Sequence, residues 1–145
     1  MSQDVLPSAP LNPPPSSSGQ DPLVVGLDLG GTKMAAALVD VGGALQGPVS
    51  SCPTPAHDGP AAMLDAISGL VAKVVETGTH QEPGKAAVIT AVGIGTAGVV
   101  DVERGTILSA TDAITGWVGT QVAAGIQKRL AAQGLGELPI HVEND

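Results

Sequence analysis

Aromatic side chains are almost missing from this sequence, which has one Trp, Trp117, and no Phe or Tyr in 145 residues. A core built without them rests on Val, Leu, Ile and Ala, and a row of stacking rings for single-stranded nucleic acid is excluded. Basic residues are scarce as well. Six Lys and Arg stand against 14 Asp and Glu, for a formal charge of −8, which argues against a nucleic-acid partner. It does not oppose a bound nucleotide, whose charge is met locally by a metal ion and backbone donors. The single cysteine, Cys52, permits no internal disulfide. No Cys or His cluster lies beside it, so a structural zinc site is not expected within these residues. No apolar run reaches the ~18 residues of a membrane helix. The N-terminus lacks the basic start and apolar stretch of a signal peptide. The expectation is a cytoplasmic protein without a membrane partner.

What is present divides into two parts. Residues 1–22 are rich in Pro, Ser, Gln and Asp, including Pro13-Pro14-Pro15 and Ser16-Ser17-Ser18. Such a segment buries too little apolar surface to offset its ordering entropy and reads as a disordered tail without helical periodicity. Residues 23–145 read as one α/β domain, long enough to bury roughly two-thirds of its unfolded surface. Strands are expected at Leu23–Leu27 and Met34–Val39, then a turn at Val41-Gly42-Gly43 and a third strand over Ala44–Ser51. Asp58-Gly59-Pro60 reads as a helix start with Asp58 as its cap. Met63, Ile67, Leu70, Val71 and Val74 follow on one face, with Asp65, Ser68, Lys73 and Glu76 off it and Gly78 as the stop. Ala86–Ile94 reads as a buried parallel strand. A hairpin is expected around Glu103-Arg104-Gly105, a helix over Thr120–Gln133 ending at Gly134, and a last strand at Ile140–Val142. Three meandering strands followed by helix, strand, helix, strand differ from the strict alternation of a dinucleotide-binding half.

Three segments carry candidate chemistry. The first is the turn formed by Asp28, Gly30, Gly31, Thr32 and Lys33. Its glycines admit an anion close to the backbone, Thr32 and Lys33 add donors and charge, and Asp28 can hold Mg²⁺. An acid after an apolar strand also needs a partner, which argues against an ordinary turn. Gly26 and Gly31 have Walker A spacing, but Thr32 stands where Lys is required and a strand follows instead of a helix. The second segment, Gly93-Ile94-Gly95-Thr96-Ala97-Gly98, matches G-x-G-x-x-G. It leads into a hairpin instead of a helix, so it reads as a ligand-bordering loop at a strand end, not as a dinucleotide site. The third, Glu143-Asn144-Asp145, places an amide and an acid after the last strand, where they could orient and deprotonate a hydroxyl. Trp117 reads as core, at the start of the second long helix. His57, His80 and His141 have no metal-ligand spacing.

Leu27-Asp28-Leu29-Gly30-Gly31-Thr32-Lys33, Gly93-Ile94-Gly95-Thr96-Ala97-Gly98-Val99-Val100-Asp101, Gly116-Trp117 and Glu143-Asn144-Asp145 together resemble the ROK family of sugar kinases and sugar-responsive repressors. The resemblance covers residues 23–145. It implies the N-terminal lobe of an actin-like, ribonuclease-H-like ATPase fold, a mixed sheet with helices on its faces. It further implies an ATP-dependent, glucokinase-like transfer to a hexose, with Asp28, Gly30, Gly31, Thr32 and Lys33 at the phosphates and Mg²⁺. Gly95, Thr96, Ala97, Gly98, Asp112 and Asn144 would border the sugar, and Asp145 would be the catalytic base. Two positions depart from the family pattern. Ala97 stands where Pro is frequent, and Asp112-Ala113-Ile114-Thr115 stands where an Asn often precedes Gly-Trp.

The later sugar-binding Glu and His, the His/Cys zinc site and the adenosine-binding lobe of the family are not within these residues. The expectation is therefore that the 145 residues alone transfer no phosphate, because one lobe cannot close a cleft. A homodimer of the full-length protein is also implied. A repressor of the same family is disfavoured by the absence of a helix-turn-helix in residues 1–22, and a non-catalytic truncated remnant is the third reading.

Overall fold

A computed structural model describes residues 22–79, 88–135 and 138–144. Of the expected tail at residues 1–22, residues 1–21 lie outside the described residues and Pro22 instead opens the first strand; residues 86–87 of the expected fourth strand and Asp145 also lie outside them. The elements run β1 (Pro22–Leu29), β2 (Lys33–Asp40), β3 (Ser50–Pro53), α1 (Pro60–Thr79), β4 (Val88–Thr96), β5 (Val99–Asp101), β6 (Thr106–Ser109), α2 (Val122–Ala132) and β7 (Ile140–Asn144).

Alternation decides the faces of the main sheet. Val25, Leu27 and Leu29 of β1 are buried, as are Met34, Ala36 and Leu38 of β2, Val92 and Ile94 of β4, and Val142 of β7. Cross-strand register brings these positions onto one face. Helix α1 meets them with Met63, Ile67, Leu70, Val71 and Val74, and α2 with Val122, Ile126 and Leu130, all in one core. Both helices thus cover the same face. The other face carries small side chains over much of its area: Gly26, Ala35, Ala37, Gly93 and Gly95.

The strand order is β3-β2-β1-β4-β7. β1 pairs antiparallel with β2 and β2 with β3, whereas β4 runs parallel to both β1 and β7. The carboxyl ends of the three parallel strands β1, β4 and β7 therefore lie at the same end of the sheet. Asp28, Gly95 and Glu143 share one row there, and Leu29, Thr96 and Asn144 the next. Strands β5 and β6 form a separate hairpin.

Local chemistry fixes the connections. The Gly105 carbonyl accepts the N–H groups of Val122 (2.9 Å) and Ala123 (3.2 Å). The hairpin thus caps α2, whose N-cap residue Gln121 contributes no side-chain bond. At its other end the Leu135 N–H reaches the Leu130 carbonyl (3.0 Å) and the Gly134 N–H reaches Ala131 (3.1 Å), with Gly134 at φ +76°. This is a Schellman stop, and Gly134 supplies its left-handed residue.

Three expectations change. The third strand does not run over Ala44–Ser51. Only Leu45 bridges to β2, and pairing resumes at Ser50, because Gly47-Pro48 intervenes and Pro has no N–H for a ladder. Asp58 does not cap α1: the Gly59 carbonyl takes the first helical N–H, from Met63 (3.2 Å), and the helix runs past Gly78 to Thr79. Ser68, expected off the apolar face, is 1 % exposed and its hydroxyl has no hydrogen-bond partner.

Candidate functional site at the carboxyl edge of the sheet

The turn between β1 and β2 is shorter than its sequence motif. Asp28 and Leu29 complete β1 and Lys33 begins β2, so Gly30, Gly31 and Thr32 alone make the turn. The Gly30 and Thr32 carbonyls are tied to Thr54. The Gly30 N–H donates to the Lys33 carbonyl (3.0 Å), the Thr54 N–H to the Thr32 carbonyl (2.9 Å), and the Thr54 hydroxyl to the Gly30 carbonyl (2.7 Å). The N–H groups of Gly31 and Thr32 have no partner among the described residues, and both residues are exposed. The carbonyls of Gly30 and Thr32 are thus taken by Thr54 while the N–H groups of Gly31 and Thr32 are left over, a polarity that suits an anion. The Gly30 position has no room for a side chain, since a Cβ there would lie 2.6 Å from the Lys33 oxygen.

Asp28 is exposed, and its carboxylate makes no hydrogen bond or ion pair among the described residues. No protein group among the described residues is the partner expected for it. Its carboxylate is an unclaimed hard oxygen donor at the end of a rigid strand, a fit for Mg²⁺ held directly or through water. Lys33, also exposed, has no ion pair among the described residues.

The second segment adjoins the first. Gly95 and Thr96 end β4 beside Asp28 and Leu29. Thr96 is buried, and its hydroxyl donates to the Ala97 carbonyl (3.3 Å). Gly98 turns the chain into β5 at φ +96°, where a Cβ would meet the Ser109 oxygen at 2.3 Å. From β7 the Asn144 amide donates to the Gly98 carbonyl, so the Asn144 side chain reaches the loop that sequence analysis assigned to the same site. Asp112 is exposed on the connection between β6 and α2. The neighbouring Ala113 lies beside Gly31, and a Cβ on that glycine would sit 3.5 Å from it. A cavity of about 50 Å³ lies between these segments, with Gly31, Thr96, Ala97, Ala113 and Trp117 among its walls. It has room for a few waters, not a whole sugar. Trp117 is 2 % exposed and its indole N–H has no hydrogen-bond partner. It belongs to the core, as expected, but stands five residues before α2 instead of at its start.

Sequence reasoning missed two residues here. Glu143 shares the row of Asp28 and Gly95 and is exposed. The parallel register was the signal, and sequence alone does not supply it. Thr54 was unassigned because its contacts with the first turn span 24 positions.

A family model described as "ROK family" matches residues 24–145. The chain belongs to the ROK family. A glucokinase of Streptomyces coelicolor is 34% identical to it over 123 residues, which are 85% of this chain and 32% of that relative. Among solved structures, a ROK glucokinase from Streptomyces griseus in complex with glucose and AMPPNP matches at 34% identity and a TM-score of 0.65, over 84% of this chain and 33% of that one. A ROK transcriptional regulator, a homologue of the E. coli MLC protein, matches at 18% identity and a TM-score of 0.68, over 86% and 28%. The ROK chain has the actin-like ATPase fold of these glucokinases. It spans about a third of the length of the curated relatives it matches.

Proposed function

We propose that the protein is an ATP-dependent hexose kinase of the glucokinase type, to which these residues contribute the N-terminal lobe. The observation that carries this reading is the Gly30–Thr32 turn, with the Gly30 and Thr32 carbonyls held by Thr54 and the Gly31 and Thr32 N–H groups left over, set against the Thr96–Gly98 loop. Phosphoryl transfer needs positioning and charge stabilisation more than covalent help from the protein. Gly31 and Thr32 present N–H groups to phosphate oxygens, and Lys33 adds a positive charge. Asp28 would hold Mg²⁺, which when bound neutralises phosphate charge. Asn144 and Asp112 orient the sugar beside the Gly95–Gly98 loop. Asp145, next in the chain after Asn144, takes the proton of the attacking hydroxyl, a role worth about 10²–10⁴-fold. A cytoplasmic location suits a nucleotide-dependent kinase. A sugar-sensing repressor shares the fold, but its structural match is at 18% identity against 34% for the glucokinase.

The test is hexose-dependent ADP release by the full-length protein, with glucose, mannose and N-acetylated hexosamines as acceptors. Turnover is expected with at least one of them. Asp145→Asn is expected to lower kcat by about 100-fold or more with little change in KM. A full-length protein that folds, binds operator DNA and releases no ADP would overturn the kinase reading in favour of the repressor.

A further inference from the structure

Thr54 lies between β3 and α1, outside every motif of the family resemblance, yet it makes two of the three hydrogen bonds that shape the Gly30–Thr32 turn. Its hydroxyl donates to the Gly30 carbonyl (2.7 Å) and its N–H to the Thr32 carbonyl (2.9 Å). The segment that carries it is anchored at both ends. On one side Pro53 pairs with Lys33 across the β2–β3 ladder. On the other, the Ala56 carbonyl accepts the Thr115 N–H (2.7 Å), and His57 Nδ1 lies 3.3 Å from the Thr115 hydroxyl. Ala56 itself is buried. The four residues Thr54–His57 thus form a strut between the turn assigned to the phosphates and the 110–115 loop assigned to the sugar.

The strut acts on peptide orientation. A turn rich in glycine has several accessible backbone states. Holding the Gly30 carbonyl inward turns the N–H of the same peptide, that of Gly31, outward, where an anion can take it. Without the Thr54 hydroxyl the Gly30 carbonyl loses its partner, and that peptide is free to rotate toward water. Its oxygen would then face the anion.

We propose that Thr54 is a positioning residue for phosphate binding: it fixes the peptide orientation of the Gly30–Thr32 turn without touching the nucleotide. This rests on the kinase reading for the identity of the anion. The anchors at Pro53 and Ala56 do not involve the Thr54 hydroxyl, so its removal leaves the strut in place.

The experiment compares Thr54→Val, Thr54→Ala and Thr54→Ser in the full-length protein. Val keeps the branched shape and loses the hydroxyl, Ala loses both, and Ser keeps the hydroxyl. Val and Ala are expected to raise KM for ATP about tenfold, the scale of one lost hydrogen bond to a partly buried carbonyl. KM for the hexose should stay within about twofold, and Ser should restore the ATP value. A Val or Ala variant with unchanged KM for ATP would overturn the proposal. So would equal rises in both KM values with no rescue by Ser, the pattern of a general loss of structure. A wild-type protein that phosphorylates no hexose refutes the kinase reading instead. The same comparison is then made by calorimetric titration with Mg·AMP-PNP, where unchanged affinity in Val and Ala, or no binding by wild type, overturns the positioning role.

Discussion

Gly30 and Gly98 are required for different reasons. Gly30 is a matter of space: a side chain there collides with the Lys33 carbonyl, a backbone atom that cannot step aside. Gly98 combines a close approach to the Ser109 carbonyl with a left-handed backbone. Gly30→Ala should therefore cost about 1–3 kcal/mol, the usual range for overpacking a filled position. Urea unfolding of the described domain checks this, and a variant as stable as wild type would show that the turn can open without loss. Asp28 behaves in the opposite way. Its carboxylate makes no hydrogen bond or ion pair among the described residues, so Asp28→Asn should leave stability unchanged while removing the metal donor.

Turns and helices were legible in the sequence where one local rule decided them. The five apolar positions of α1 were readable because helical spacing places them on one side whatever the neighbours are. Strand β3 was misplaced because apolar residues continue through Ala44, Leu45 and Val49, while Gly47-Pro48 removes the means of pairing. The β2 turn hid a further device. The Asp40 carboxylate accepts the N–H groups of Ala44 (2.9 Å) and Gly42 (2.9 Å) and the Gln46 amide (3.0 Å). These bonds, that of Ala44 foremost, hold its pKa below the ordinary carboxylate range against a smaller opposing effect of desolvation. A pKa lowered on folding stabilises the native state above the unfolded value, about 3.9, and the benefit fades as pH falls through the native value. Wild type should thus melt higher than Asp40→Ala at pH 6, and the gap should narrow steadily below about pH 4. A gap that stays constant down to pH 2 would show that the carboxylate charge plays no part in the turn.

At the scale of the whole molecule, the parallel register of β1, β4 and β7 does what no single motif does. It gathers Asp28, Gly95 and Glu143 into one row and Thr96 and Asn144 into the next, although these residues are spread over more than a hundred positions. The motifs could be read in order along the sequence. Their convergence followed from the order of elements, and the Thr54 strut followed from neither, because contacts between loops leave no periodic trace. No helix among the described residues is long and apolar enough to cross a membrane. The Gly and Ala face of the sheet, free of described helices, leaves the backbone close to whatever rests on it.

The poverty in rings noted at the outset has an optical consequence. Trp117 is the sole aromatic chromophore of the chain, it is buried, and it walls the cavity between Gly31 and Thr96. Emission from these 145 residues therefore comes from one indole in one place, with no tyrosine background to subtract. It should be blue-shifted, slow to quench with acrylamide, and red-shifted on unfolding. Its intensity should respond to Mg·AMP-PNP or glucose entering from either side. A spectrum as red as free tryptophan in buffer would contradict the burial. A spectrum indifferent to both ligands in a catalytically active protein would show that the cavity is insulated from the loops around it.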